Sequence, residues 1–102
     1  MLYQEKVPGG KLVCVEIWPA GEKVEKIKIT GDFFLHPEDS ITEIEKSLTG
    51  VSISLDNSQL ESQKEKIKSI IEDALARNNA QLIGVTPEQL ADLFFKAVAQ
   101  GK

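Results

Sequence analysis

The fold is decided by residues 11–34, KLVCVEIWPAGEKVEKIKITGDFF. In the first part, apolar residues recur at every second position from Val13 to Ile17, which is typical of a strand with one buried face. Turn-forming residues follow, and a second alternating run extends from Val24 to Phe33. We therefore predict an antiparallel hairpin with one face towards the core.

The sequence on either side of the hairpin extends this pattern. A shorter strand within residues 3–7 is predicted to join the sheet through the turn Pro8-Gly9-Gly10. After the hairpin, Pro37 suits the first position of a helix, and Gly50 suits its C-terminal cap. Further amphipathic helices are predicted from Leu60 and from Thr86. The expected fold is a single α+β domain, residues 1–102, with an antiparallel three-stranded sheet and helices on one face.

Composition excludes several classes of protein. The net charge of −4 argues against nucleic-acid binding, because phosphate neutralisation needs a cationic face. A single Cys cannot form an intramolecular disulfide, which fits the reducing cytoplasm. No apolar run reaches the length that spans a membrane. We expect a cytoplasmic protein that binds neither nucleic acid nor membrane.

Few residues are suited to catalysis or metal binding. Cys14 lies in the middle of a predicted strand, where a thiol is usually an inert packing residue. His36 is the only histidine, and one His with one Cys cannot complete a zinc or iron site. We interpret His36 as a helix N-cap or a contact residue. No catalytic residue and no metal ligand is predicted.

Two other features are candidates for binding. The amides of Gly9 and Gly10 and the ammonium of Lys11 could face a phosphate, although the turn is shorter than a P-loop and does not lead into a helix. A simple strand-to-strand turn is the favoured interpretation.

The second feature is an apolar surface. Strand alternation directs Phe33 to the core, whereas Leu12, Trp18 and Phe34 face away from the helices. These three residues are a predicted docking face for a partner, unless a terminal segment of the chain covers them.

The chain resembles the small C-terminal accessory domain of lipoate–protein ligases over nearly its whole length, residues 3–98. The resemblance is carried by four motifs: Lys6-Val7-Pro8-Gly9-Gly10-Lys11-Leu12, Ile29-Thr30-Gly31-Asp32-Phe33-Phe34, Leu48-Thr49-Gly50 and Ile83-Gly84-Val85-Thr86-Pro87-Glu88-Gln89-Leu90. It implies a fold similar to that of the SufE and IscU scaffold proteins. In such ligases, a large domain holds lipoate, ATP and magnesium and forms lipoyl-adenylate. The lipoyl group then moves to a lysine of a carrier domain.

The resemblance also implies a role for this chain. The small domain of these ligases assists activation and swings aside for transfer, and in some archaea and bacteria it is a separate chain. Because 102 residues leave no room for the large domain, we expect a non-catalytic small subunit. Its initial Met and short C-terminal tail favour a natural subunit over an excised domain. It would pair with a large catalytic subunit, contact lipoyl carrier domains only indirectly, and bind no cofactor alone.

The resemblance places the interface with the large subunit, near its adenylate loop, at two segments. The first is Gly9, Gly10 and Lys11, and the second is Gly31, Asp32, Phe33, Phe34 and His36. Lys11 would help neutralise phosphate charge, and Asp32 would cap a loop or helix of the partner. Two alternatives remain open: a sulfur-acceptor or scaffold protein of the SufE/IscU type, which would need a reactive Cys, and a general protein-binding adaptor.

Overall fold

The computed structural model describes residues 1–9, 11–53 and 60–100. Within these residues, five strands and three helices follow one another. In order, they are β1 (Leu2–Val7), β2 (Lys11–Ala20), β3 (Lys23–Gly31), β4 (Phe34–His36), α1 (Ser40–Leu48), α2 (Leu60–Arg77), β5 (Gln81–Ile83) and α3 (Pro87–Gln100).

The first three strands form the predicted antiparallel sheet, in the order β1-β2-β3. The central strand β2 buries Val13, Val15 and Ile17, each at most 1% exposed. Their cross-strand neighbours Tyr3 and Ile29 flank Val15 and share the same face. The prediction of a hairpin with one core face, extended by a third strand, is confirmed.

One feature of β3 escapes simple alternation. Val24 and Ile27 are both buried, although they are three positions apart. The pairing of β2 with β3 shifts between Trp18 and Pro19, which leaves Glu25 as an extra residue on β3. Such a bulge reverses the parity of the strand, so that residues on both sides of it reach the core.

The helices lie on the core side of the sheet, and α1 and α3 contact it directly. Helix α3 lies against β1 and β2, α1 lies against β3, and α2 packs on both other helices. Among the helices, α3 contributes the most apolar side chains to the core, because seven of its fourteen residues are buried. This arrangement confirms the predicted two-layer α+β fold. Within the described residues, no helix is both long enough and apolar enough to cross a membrane.

The start of α1 differs from the prediction. Pro37 is not the first helical residue, because α1 begins at Ser40 and its N-cap is Asp39. The Ser40 and Ile41 amides donate to the carbonyl oxygens of Pro37 and Glu38, three residues earlier in each case. Pro37 therefore opens a tight turn that leads into the helix. His36 is not the N-cap, since it lies in β4 opposite Gln81.

The start of α3 and the ends of α1 and α2 agree with the sequence, whereas Ser58, predicted to cap the start of α2, lies outside the described residues. Thr86 and Gln89 form a reciprocal capping box at the start of α3: the Gln89 amide donates to Thr86 Oγ1 at 3.1 Å, and the Thr86 amide donates to Gln89 Oε1 at 2.9 Å. Gly50, with φ +87°, follows the C-cap of α1 as predicted. Asn79, with φ +49°, follows the end of α2.

A small second sheet was not expected. Strands β4 and β5 pair antiparallel, with Phe34 opposite Ile83 and His36 opposite Gln81. We call these two strands the ribbon. The prediction that the second hairpin strand continues to Phe33 is wrong, because β3 ends at Gly31 and the chain then turns into the ribbon.

An ion-pair network ties β1 to α2 and α3. Asp92 accepts from Lys64 Nζ at 3.1 Å and from Lys96 Nζ at 3.2 Å, and Lys96 also pairs with Glu5 at 3.1 Å. Burial raises the pKa of Asp92, but the hydrogen bonds from the two lysines outweigh burial and hold the pKa below its ordinary value. The hydrogen bond to Glu5, followed by that to Asp92, raises the pKa of Lys96.

The substitution Asp92→Asn should lower the free energy of unfolding at pH 7 by less than about 1 kcal/mol, because solvent screens this partly exposed network. The folded pKa of Asp92 lies below the unfolded one, so its stabilisation is present above the unfolded pKa and is lost on acidification. Urea unfolding of both proteins should give a difference that shrinks as the pH falls through about 4. Asp73→Asn, on the exposed surface of α2, is the control. A difference that grows on acidification would contradict the network's role.

Candidate partner-binding site

Gly31 allows two of the sequence motifs, residues 6–12 and 29–34, to lie next to each other. A Cβ atom at Gly31 would clash with the Leu12 carbonyl oxygen and would lie 2.9 Å from Val13 Cα. The adjacent Asp32 amide donates to the Leu12 carbonyl oxygen at 2.8 Å. Only glycine permits this approach, since its backbone has no side chain to displace. The segment that begins at Gly31 therefore lies directly beside the start of β2.

Gly84 brings a third motif, residues 83–90, to the same place. A Cβ atom here would lie 3.4 Å from Phe33 Cα and 3.5 Å from Lys11 Cγ. Its φ of +100° also favours glycine. The turn after β5 therefore packs against both the Lys11 side chain and the segment after Gly31, and three distant motifs converge on one edge of the molecule.

A shallow cleft opens at this edge. Its volume is about 470 Å³, and it lies between the turn after β1, the ribbon and the N-terminus of α3. Lining residues include Pro8, Gly9, Lys11, Ile83, Gly84 and Thr86. Lys11 is half-buried, and among the described residues no carboxylate lies within ion-pair distance of its ammonium. The peptide dipoles at the start of α3 add positive potential, so this cleft favours an anion.

Phe33 and Phe34 differ in burial, as predicted. Phe33 is half-buried and packs against the core, whereas Phe34 is 69% exposed. However, Phe34 does not belong to the three-stranded sheet. It lies in the ribbon opposite Ile83, which is 52% exposed. The two side chains form an exposed apolar pair next to the cleft, since Ile83 also lines it.

The predicted docking face is therefore divided between two sheets. Leu12 and Trp18 lie on the three-stranded sheet, on the side opposite the helices. Trp18 is 38% exposed, and Lys26 Nζ lies 4.9 Å from the centre of its ring. Phe34 belongs to the ribbon instead, because the chain leaves the sheet at Gly31.

The structure describes three of the remaining predicted residues: Gly9, Asp32 and His36. Asp32 and His36 are exposed and flank the exposed Phe34 along the chain. Gly9, with φ +103°, lines the cleft. Gly10 lies outside the described residues. The predicted interface role of these residues stays a prediction.

The chemistry of the described residues is limited. Cys14 is half-buried in the middle of β2, without the loop-tip position that a sulfur acceptor needs. Among the same residues, no group of three or more His, Cys, Asp or Glu side chains could hold a metal ion.

Sequence reasoning did not assign Ile83, Gly84 and Thr86 to the site. Strand β5 has only three residues, too few for a period of two to be recognised. One signal was available. Gly84 stands between an apolar pair and the capping box of α3, where a glycine indicates a turn or a close backbone approach.

Known proteins provide the comparison for this geometry. The chain is 38% identical over 74 residues to lipoate-protein ligase A subunit 2 of Thermoplasma acidophilum, an alignment that covers 72% of this chain and 67% of the relative. It is also similar to a chain in the solved structure of a bipartite lipoate protein ligase and its E2 lipoyl domain from the same organism. That similarity has a TM-score of 0.63 and 32% identity, and it covers 96% of this chain and 94% of the other. No protein-family model matches the chain.

The substitution Gly31→Ala should destabilise the fold by at least about 2 kcal/mol, because the new methyl group meets backbone atoms that cannot move aside. Gly21→Ala is the matched control. Gly21 also has a positive φ, +63°, but no atom lies within 4 Å of the new methyl group. Gly21→Ala should lower the free energy of unfolding by about 1 kcal/mol, from backbone strain alone. Equal losses in chemical unfolding would show that the approach of Gly31 to Leu12 is unimportant.

Proposed function

The chain belongs to the family of lipoate-protein ligase A subunit 2, and from this premise we propose that it is the non-catalytic small subunit of a two-chain lipoate–protein ligase. It would work with a large subunit in the ATP-dependent activation of lipoate to lipoyl-adenylate, before transfer to a carrier-protein lysine. One observation carries the proposal: the likeness spans 96% of this chain and 94% of a chain in the bipartite ligase structure. We also propose that the pair acts in the cytoplasm, where ATP is abundant.

The limited chemistry of the described residues supports a division of labour. An enzyme that activates a carboxylate with ATP needs a nucleotide site, a metal and a cavity for the acyl chain. The cleft beside Lys11 is open and only about 470 Å³ in volume. We therefore assign lipoate, ATP and magnesium to the large subunit, and no cofactor to this chain alone.

The cleft edge is our candidate for contact with the adenylate loop of the large subunit. Gly9 and Lys11 lie on one side of the cleft, and Phe34 extends from the ribbon beside it. An ammonium group without a carboxylate partner within the described residues is free to approach a phosphate. Lys11 would stabilise negative charge that develops while the adenylate forms. The exposed Asp32 would accept hydrogen bonds from backbone amides of the partner.

The exposed apolar pair, Phe34 and Ile83, would anchor this contact. Aromatic side chains at the centre of an interface often contribute most of the binding energy. Gly31 lets the chain pass close to Leu12, and Gly84 lies close to both Phe33 and Lys11, so the ribbon presents Phe34 near Lys11. The segment after Gly31 is therefore suited to hold the large subunit in position relative to Lys11.

The function can be tested by pyrophosphate exchange. A large subunit of the same organism, incubated with lipoate, ATP and magnesium, should exchange labelled pyrophosphate into ATP much faster when this chain is added. Neither protein alone should form lipoyl-adenylate at a comparable rate. If addition of this chain changes only binding and leaves exchange unaltered, the chain is an adaptor and the proposal fails.

The role of Lys11 can be tested in the same pair. Lys11→Ala should slow lipoyl-adenylate formation by about tenfold or more while leaving subunit affinity unchanged, since one cation near a reacting phosphate is removed. Lys46→Ala, on the exposed face of α1, removes the same charge elsewhere and should have no effect. Normal adenylation by the Lys11 variant at normal affinity would remove Lys11 from the mechanism.

A further inference from the structure

The side of the three-stranded sheet that faces away from the helices has a distinct composition. Register places the even-numbered residues of β1, of β2 up to Trp18 and of β3 from Lys26 onward on this side, since directly paired residues share a face and the bulge at Glu25 reverses the alternation beyond it. We call this surface the open face. Its members are Leu2, Gln4, Lys6, Leu12, Cys14, Glu16, Trp18, Lys26, Lys28 and Thr30.

The charge of the open face is opposite to that of the chain. Three lysines stand against Glu16 alone, which gives the surface a net charge of +2. The whole chain carries −4. Lys6, Lys26 and Lys28 are all exposed, and none of them forms an ion pair within the described residues. The positive charge of the open face is therefore not neutralised by ion pairs among the described residues.

Apolar side chains lie among these lysines. Leu2 is 52% exposed, Trp18 is 38% exposed, and Leu12 and Cys14 are half-buried. Lys26 lies over the Trp18 ring, so an acidic group that approaches this lysine also reaches the indole. Aromatic residues such as Trp are enriched in protein interfaces, whereas lysines are found mainly at the polar rim around them.

We propose that the open face is a docking surface for an acidic, partly apolar surface of the large catalytic subunit, with Trp18 as its anchor. This inference rests on the proposed function and adds to it the site and the chemistry of subunit pairing. The cleft edge, with Phe34 and Ile83, would contact the large subunit near the reacting groups, and the open face would be a second area of contact that strengthens the pairing.

Two other occupants fit the open face less well. A second copy of this chain would oppose two surfaces of like charge, which is unfavourable. An anionic membrane gains only about 1 kcal/mol per lysine near its surface, so three lysines bind weakly. The remainder of this acidic chain would also be repelled from such a membrane. An acidic protein surface with an apolar centre satisfies both the lysines and Trp18.

The test measures the affinity of the intact pair by calorimetry as a function of salt. The double variant Lys26→Glu/Lys28→Glu should raise the dissociation constant by at least about tenfold at low salt, because it reverses two interface charges. Trp18→Ala should weaken binding by a similar factor at every salt concentration, because its contribution is apolar. The control Lys46→Glu/Lys66→Glu makes the same charge change on exposed positions of α1 and α2, and it should alter the constant less than twofold. Circular dichroism and urea unfolding check that each variant is folded.

The outcomes separate this inference from the proposed function. If wild-type chain stimulates pyrophosphate exchange and the open-face variants bind as tightly as the controls, the inference is wrong and the function stands. If wild-type chain does not stimulate exchange, the proposed function fails first. Equal weakening by the open-face and control variants would indicate only a general charge effect and would also overturn the inference. Wild-type binding to phosphatidylserine vesicles that the open-face variants lose, with unchanged subunit affinity, would assign the open face to membranes instead.

Discussion

The close approach of Gly31 to Leu12 is the constraint on which the arrangement of the site depends. It ends β3, because the chain passes so near the start of β2 that only a backbone fits. The Asp32 amide then donates to the Leu12 carbonyl oxygen and turns the chain away from the sheet. The ribbon forms from the residues that follow, beside Lys11. A change of residue type at this single position would therefore disturb both sheets and the cleft between them.

Much of the fold can be predicted from local patterns. Val13, Val15 and Ile17 alternate without interruption, and the capping box of Thr86 and Gln89 marks a helix start by its side chains alone. These features succeed because neighbouring residues supply all the information. Wherever the physical cause is local, the sequence pattern and the structure agree.

Predictions fail where the cause is not local. Val24 reaches the core only because Glu25 forms a bulge, and a bulge depends on how two strands pair. Pro37 is compatible with a first helical residue, but the turn before α1 places the helix start three residues later. Phe34 and Ile83 meet across 49 residues of chain, in strands too short to show a period. The part of the candidate site around Lys11 and Gly31 was therefore predicted from motifs, whereas the part contributed by β5 and the turn after it required tertiary structure.

The geometry also connects the two surfaces to which we assign binding. Lys11 and Leu12 are consecutive residues at the start of β2: Lys11 lines the cleft, and Leu12 lies on the open face. The central strand of a sheet is held by hydrogen bonds on both sides, so neighbouring residues on it move little relative to each other. A subunit bound on the open face would thus fix the position of Lys11 to within the freedom of its own side chain. Pairing and charge stabilisation would then be coupled through the backbone of β2, without any conformational change within this chain.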